Sequence, residues 1–310
     1  MTSTDADRAT GTAGATGAAG VGVVDTHMHL WDRTRFRYPW LESADAAGLP
    51  ASYGAAEWRR DTAAVELAGI VHVQAEVDHA SDPVAETAWM QQLHDVEGMP
   101  TACVGYADLR SDALGDVLDR HAAYPVFRGI RQEAWFDPRS ERADVPRINL
   151  LDDPAFLRGL QELERRDLVF ELLVWQEQLE QAAALLREAP DLRVVIDHTG
   201  VPKDEARREQ WAHGLTAVLQ AAPRGILKIS GLGMVDAAWT PERIDPLIAR
   251  ALELAGPARV VFASNFPVEP EGVSYAQVWE TFERAIAGFD PAERAAMLRD
   301  TATACYDLTR

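Results

Sequence analysis

Short apolar runs alternate with longer amphipathic stretches from Val23 to Tyr306. The runs are continuous rather than apolar-polar alternating, which is the pattern of strands covered on both faces, as parallel strands are. One opens at Val23. Seven more lie at Gly69–Glu76, Thr101–Ala107, Val126–Gln132, Leu168–Val174, Leu192–Asp197, Ile226–Ser230 and Arg259–Ala263. Between and after them the periodicity predicts helices over Pro83–Val96, Asp112–Ala122, Pro154–Arg165, Gln178–Glu188, Glu205–Ala221, Pro241–Ala255, Tyr275–Ala287 and Pro291–Tyr306. A short helix near Asp61–Leu67 follows the first strand. Asp82, Asp153 and Thr240 each precede a proline, so each is placed to cap a helix that starts on Pro.

Eight strands, each followed by a helix, fit a (β/α)8 TIM barrel. A doubly wound sheet is the alternative, but no Gly-rich phosphate turn follows the first strand. The reading is one barrel domain over residues 21–310. Residues 1–20 are rich in Ala, Gly and Thr and carry no large apolar side chain after Met1. They have nothing to bury and read as a disordered tail. Two segments break the alternation. Residues 31–61 hold Trp31, Tyr38, Trp40, Tyr53 and Trp58 without a clean period, and residues 133–151 form a polar insertion. Loops this long in a compact domain usually serve function.

Composition narrows the function. The net charge of −19 opposes binding of nucleic acid or anionic membrane over the whole surface. No apolar run approaches the ~18 residues of a membrane span. Two cysteines, Cys103 and Cys305, make no disulfide framework and point to a reducing compartment, the cytoplasm. The expected partner is a small molecule. A homodimer is the default oligomer for a soluble enzyme.

A barrel carries its chemistry at the C-terminal ends of its strands. The first strand ends in His27-Met28-His29, two histidines that share a face with Asp25 if the strand is regular. Two imidazoles so placed can hold one divalent ion. Gln74, Glu76 and His79 close the second strand, Arg128, Arg131 and Gln132 the fourth, and Trp175, Gln176 and Glu177 the fifth. Asp197 and His198 close the sixth, Lys228 and Ser230 the seventh, and Ser264 and Asn265 the eighth. Buried polar groups are costly unless paired, so their concentration at one end reads as a catalytic site. His72, mid-strand, reads as a satisfied core histidine. His94, His121 and His213 lie in helices and read as structural, as does Arg128.

These pieces carry a resemblance. Asp25-Thr-His-Met-His-Leu-Trp-Asp32, Tyr38-Pro-Trp40, Val73-Gln-Ala-Glu76, Arg128-Gly-Ile-Arg131, Asp197-His-Thr-Gly200, Lys228-Ile-Ser-Gly231 and Ser264-Asn-Phe-Pro-Val268 come in the order of the amidohydrolase superfamily. The chain resembles its amidohydrolase-2, lactonase-like branch, which includes fuconolactonase and the pyrone-dicarboxylate lactonase. The resemblance implies that His27 and His29 bind a metal or the substrate, and that His198 shares their pocket. It also implies water attack on a lactone carbonyl. The chain departs from the family at two places. Asn265 stands where relatives carry an aspartate base, and an amide cannot accept a proton as a carboxylate does. Glu177 aligns where relatives have a histidine.

Two arrangements stay open. In one, His27, His29 and a carboxylate, Glu177 first and Glu76 next, hold one zinc-like ion with an open water position. In the other, no ion is needed: Arg131 and Lys228 bind and polarise the substrate while Glu177 or His198 activates water. Trp40 is expected to wall the substrate, and no organic cofactor is implied. The rival functions are a non-oxidative decarboxylase and a non-catalytic binding barrel.

Overall fold

A computed structural model describes residues 22–139 and 147–309, so the expected tail over residues 1–20 lies outside the described residues. The eight barrel strands are β1 (Val23–Met28), β2 (Leu67–Val73), β3 (Ala102–Gly105), β4 (Phe127–Arg131), β5 (Val169–Leu172), β6 (Arg193–Ile196), β7 (Ile226–Ile229) and β8 (Val260–Phe262). They pair in parallel in chain order, from β1 to β8. The ring is nearly closed: β8 and β1 are joined just beyond the strands, where Asn265 N–H donates to His27 O at 2.8 Å and His29 N–H to Phe266 O at 2.9 Å. The expected (β/α)8 barrel is the observed one.

The helices that follow the strands are α1 (Ala55–Asp61), α2 (Ala85–Glu97), α3 (Leu114–Ala122), α4 (Pro154–Arg165), α5 (Leu179–Leu186), α6 (Arg208–Ala221), α7 (Pro241–Ala255) and α8 (Tyr275–Ala285). The α4 cap is as read: Asp153 accepts from Ala155 N–H. Thr240 makes no side-chain cap bond. Several boundaries moved, two of them next to the first two helices. The first helix precedes Asp61 rather than following it, because Leu67 already belongs to β2. α2 begins at Ala85, while Asp82 holds the preceding turn through Val84 N–H at 3.1 Å. Within the last helical stretch, Ala296–Asp300 widens to a π turn.

Val71, Val73, Ala102, Val104, Val169 and Val195 fill the lumen with Tyr306. Tyr306 comes from the C-terminal segment, which Arg128 and Arg193 tie down at Tyr306 O and Cys305 O. The larger cluster between strands and helices includes Phe156, Phe170, Trp211 and Phe282, and Val24, Val261 and Ala302 form a small third one.

One irregularity positions the opening histidines. β1 pairs Asp25 with Ile70 and then Met28 with His72, so three residues of β1 span two of β2. An extra residue turns successive side chains to new faces. Asp25 therefore does not share a face with His27, as a regular strand would require. Its carboxylate accepts from Tyr275 O–H of α8 at 2.9 Å, from Ser264 N–H at 3.0 Å and from His27 N–H at 3.2 Å. Asp25 is a seam between the first and last strands, on the helix side.

Candidate active site

The C-terminal mouth of the barrel opens on a cavity of about 620 Å³. His29, Arg131, His198 and Asn265, each at a strand end, reach it from the floor, and Trp40 and Glu76 reach it from the sides. Among the predicted site residues, the structure thus gathers these six, with His27 buried directly beneath.

The two strand-one histidines face one another, with His27 Nε2 3.1 Å from His29 Nε2. His29 Nδ1 lies 2.7 Å from Val73 O. A carbonyl only accepts, so Nδ1 carries the hydrogen and Nε2 is a lone pair. His27 Nδ1 lies 3.4 Å from Asp197 Oδ1, which favours the same tautomer. Burial, with Lys228 adding for His27 and Arg131 for His29, holds both rings neutral, well below the usual histidine range. His198 is neutral too: burial pushes it down to about 4, and its Nδ1 lies 2.9 Å from Ser230 Oγ. Gly231 allows this ring its place, because its φ is +58° and a Cβ there would come within 2.6 Å of His198 Nδ1.

Arg131 donates to Gln74 O at 2.6 Å and places Nη1 3.4 Å from His27 Nε2. Burial disfavours its charge, but Glu133 and Glu76 outweigh burial and keep it a cation. Glu76 takes a left-handed backbone, φ +57°. Its carboxylate accepts from Gln74 and pairs with His79 Nε2 at 2.8 Å. Trp40 donates its indole N–H to Ala75 O at 2.7 Å, which fixes the ring as cavity wall. Asn265 donates Nδ2–H to Val268 O at 3.0 Å. Its carbonyl oxygen can therefore accept from a ligand.

Two expected roles are corrected. Glu177 is exposed and pairs with Arg207 at 2.9 Å on the outer rim, because the chain turns outward after β5. It is brought neither to the histidines nor to the cavity, so it is neither ligand nor base there. Lys228 is fully buried and does not line the cavity. Its ammonium bonds Glu171 Oε2 and lies 3.2 Å from Asp197 Oδ1 and 3.4 Å from His27 Nδ1. Tyr306 O–H closes the group on Glu171 Oε1. Burial would raise both carboxyls, but Lys228 outweighs it at Asp197 and holds that group well below the carboxylate range. Burial and the Asp197 charge push Glu171 well above it.

Glu171 and the supporting role of Asp197 were missed in the sequence. The signal was there: Glu171 is the only charged residue in Leu168–Val174, and Lys228 the only one in Ile226–Ser230. Two opposite charges in doubly covered strands must find each other or neutralise.

The donor set fits a divalent ion. Tetrahedral ligands at about 2.0–2.1 Å lie about 3.3 Å apart, close to the His27–His29 spacing. Neither oxygen of buried Asp197 has a well-directed hydrogen bond. One donor atom each from His27, Asp197 and His198 falls within 4.8 Å of the others. Two neighbouring charges oppose an ion: the Arg131 guanidinium, 3.4 Å from His27 Nε2, and the Lys228 ammonium, 3.4 Å from His27 Nδ1.

The class defined by barrel and site is borne out by comparison with known proteins. The Amidohydrolase family model matches residues 24–308, and the chain belongs to that family. It is 34% identical to an uncharacterised protein of Sinorhizobium fredii over 92% of this chain and 98% of the relative. It is 29% identical to L-fucono-1,5-lactonase of Burkholderia multivorans, over 92% of this chain and 96% of the lactonase. A crystal structure of a Burkholderia multivorans amidohydrolase with bound zinc superposes with a TM-score of 0.77 at 29% identity, covering 92% of this chain and 99% of that one. At family level the protein is a hydrolase of the lactonase-like branch. Among the described residues no helix is long and apolar enough to cross a membrane.

Proposed function

We propose that the protein opens a small cyclic ester by attack of water on its carbonyl carbon. One observation carries this: two lone-pair imidazole nitrogens 3.1 Å apart meet a buried guanidinium and a third neutral histidine at the floor of one cavity. The likeness to L-fucono-1,5-lactonase supports an ester carbonyl as the target.

Arg131 is the donor for the carbonyl oxygen. Its charge sits in a water-poor site, where a fixed donor stabilises a developing oxyanion most. His198 is the group that moves the proton. With Nδ1–H directed to Ser230 Oγ, its Nε2 accepts a proton from water and returns it to the ring oxygen as the C–O bond breaks. Lactone and water balance to one hydroxy acid. Asn265 cannot take that proton; its free carbonyl oxygen orients the water or the substrate. Trp40 walls the ring. His27 and His29 would hold an ion through Nε2, with Asp197 orienting His27. Such an ion supplies Lewis acidity and lowers the pKa of water toward roughly 7. A decarboxylase would need a substrate carboxylate held by Arg131 or Lys228; Lys228 is enclosed among carboxylates instead, which leaves Arg131 and the wall residue Lys203 as cations at the cavity.

The test follows acid release from a panel of γ- and δ-lactones. Wild type opens at least one, and His27→Ala and His29→Ala lose about 10²–10³-fold in kcat. No turnover of any lactone by wild type with its metal restored sinks the reading and leaves a binding barrel.

A further inference from the structure

The cavity has a polar floor and apolar walls. We infer that the substrate carries an apolar substituent: an alkyl- or aryl-substituted lactone rather than a polyhydroxylated one. This rests on the hydrolase reading above and adds the class of the group beyond the reacting ring.

The floor residues all sit at strand ends, whereas the wall comes from the loops beyond them. Leu49, Trp135, Leu173, Met234, Ala237 and Val268 supply it. At about 620 Å³ the space lies mid-range for small-molecule sites, roughly 300–1,000 Å³, and exceeds what one lactone ring fills. The polar groups among the walls are already engaged within the protein. Glu76 serves Gln74 and His79. Glu133 accepts the Trp135 indole N–H at 2.5 Å. Ser43 donates to Trp40 O at 2.7 Å, and the Lys203 ammonium lies 4.1 Å from the centre of the Trp175 ring. A ring bearing several hydroxyls would lose water against the apolar side chains of the wall, where no hydrogen bond replaces it. An apolar chain loses nothing by the same transfer.

The wall is preformed. Glu269, on the loop after β8, accepts Gly233 N–H and the Trp239 indole N–H, each at 3.1 Å, from the loop after β7. A Cβ at Gly233 would lie 2.4 Å from Pro270 Cδ, so the two loops meet closely. Met234, Ala237 and Val268 are thereby held on one continuous face.

The experiment compares δ-valerolactone, its 6-pentyl derivative and L-fucono-1,5-lactone with wild type and Met234→Ser. Each methylene buried multiplies kcat/KM about fourfold, so the pentyl lactone is expected to exceed both others by at least tenfold. Met234→Ser lowers the pentyl-to-unsubstituted ratio about fivefold. A hydroxylated lactone preferred over the pentyl one, or a ratio near unity, overturns the inference. Calorimetry with the matching, uncleaved lactams decides it separately from catalysis. Tenfold tighter binding of the pentyl lactam than of a hydroxylated lactam sustains the apolar wall even if no lactone is opened, a result that would end only the hydrolase reading. Equal or weaker binding overturns it.

Discussion

His27 and His29 point their Nε2 atoms at each other across 3.1 Å, and the Nδ1 of His29 is already committed to Val73 O. Two lone pairs at that distance repel unless a cation stands between them. A divalent ion held by both Nε2 lone pairs would remove that repulsion. Protein purified without chelator is expected to carry close to one equivalent of a divalent metal by elemental analysis. His27→Ala or His29→Ala should reduce it below about a tenth, since each removes one of few donors. Less than about a tenth in wild type, with activity indifferent to chelator, makes the cationic residues alone responsible.

Beneath the histidines, Lys228 is matched to Glu171 and Asp197 with no exposure to solvent. Removing one partner of such a group strands the others. Lys228→Met should cost about 3–5 kcal/mol in urea unfolding. Adding Asp197→Asn restores part of that, because the buried anion that Lys228 balanced is then gone. Equal stability of the single and double variants would show that Lys228 and Asp197 are not coupled.

How much of this was legible follows from which forces act locally. The apolar runs and their spacing disclosed the barrel, because a strand covered on both faces has little freedom in composition. Strand ends disclosed His29, Arg131, His198 and Asn265, because a barrel projects those residues to one side. Glu177 failed for a local reason: after β5 the chain enters a 3-10 turn at Gln176–Gln178 and carries the side chain outward to Arg207. Asp25 failed because the extra residue in β1 shows itself only in pairing with β2. Lys228 was visible as a charge in an apolar strand, but its partners lie 57 and 31 positions away in the chain, beyond any local pattern.

His121 offers a test of pH dependence far from the metal question. It is buried, with Nδ1 3.0 Å from Thr87 Oγ1 and Nε2 3.0 Å from Tyr106 O. Burial pushes it from 6.5 down to about 4. The unfolded chain therefore takes up a proton first as pH falls. Its contribution is whole above 6.5 and disappears between 6.5 and about 4, amounting to at most ~3 kcal/mol. His121→Gln should flatten the loss of unfolding free energy over that window. An unchanged slope would mean that other groups carry it.

Glu269 works in the opposite direction. Burial raises its carboxyl from 4.5 to about 7, and Oε1 has no partner. The folded protein keeps this proton when the unfolded chain has released it. The group therefore adds nothing below 4.5, and ionisation costs stability progressively as pH rises from 4.5 through about 7, by at most ~3 kcal/mol. Glu269→Gln removes the charge while its amide oxygen can still accept from Gly233 and Trp239. The variant should match wild type near pH 4.5 and melt several degrees higher at pH 8, since ~1 kcal/mol moves the midpoint of a chain this size by roughly 1–3 °C. Glu269→Ala should lower the midpoint at both values, because Gly233 N–H and the Trp239 indole lose their acceptor. Amide exchange over residues 231–239 gives the local reading: faster in Glu269→Ala, and close to wild type in Glu269→Gln. Equal protection in all three would show that the loops after β7 and β8 are held by packing against Pro270 rather than by the carboxyl.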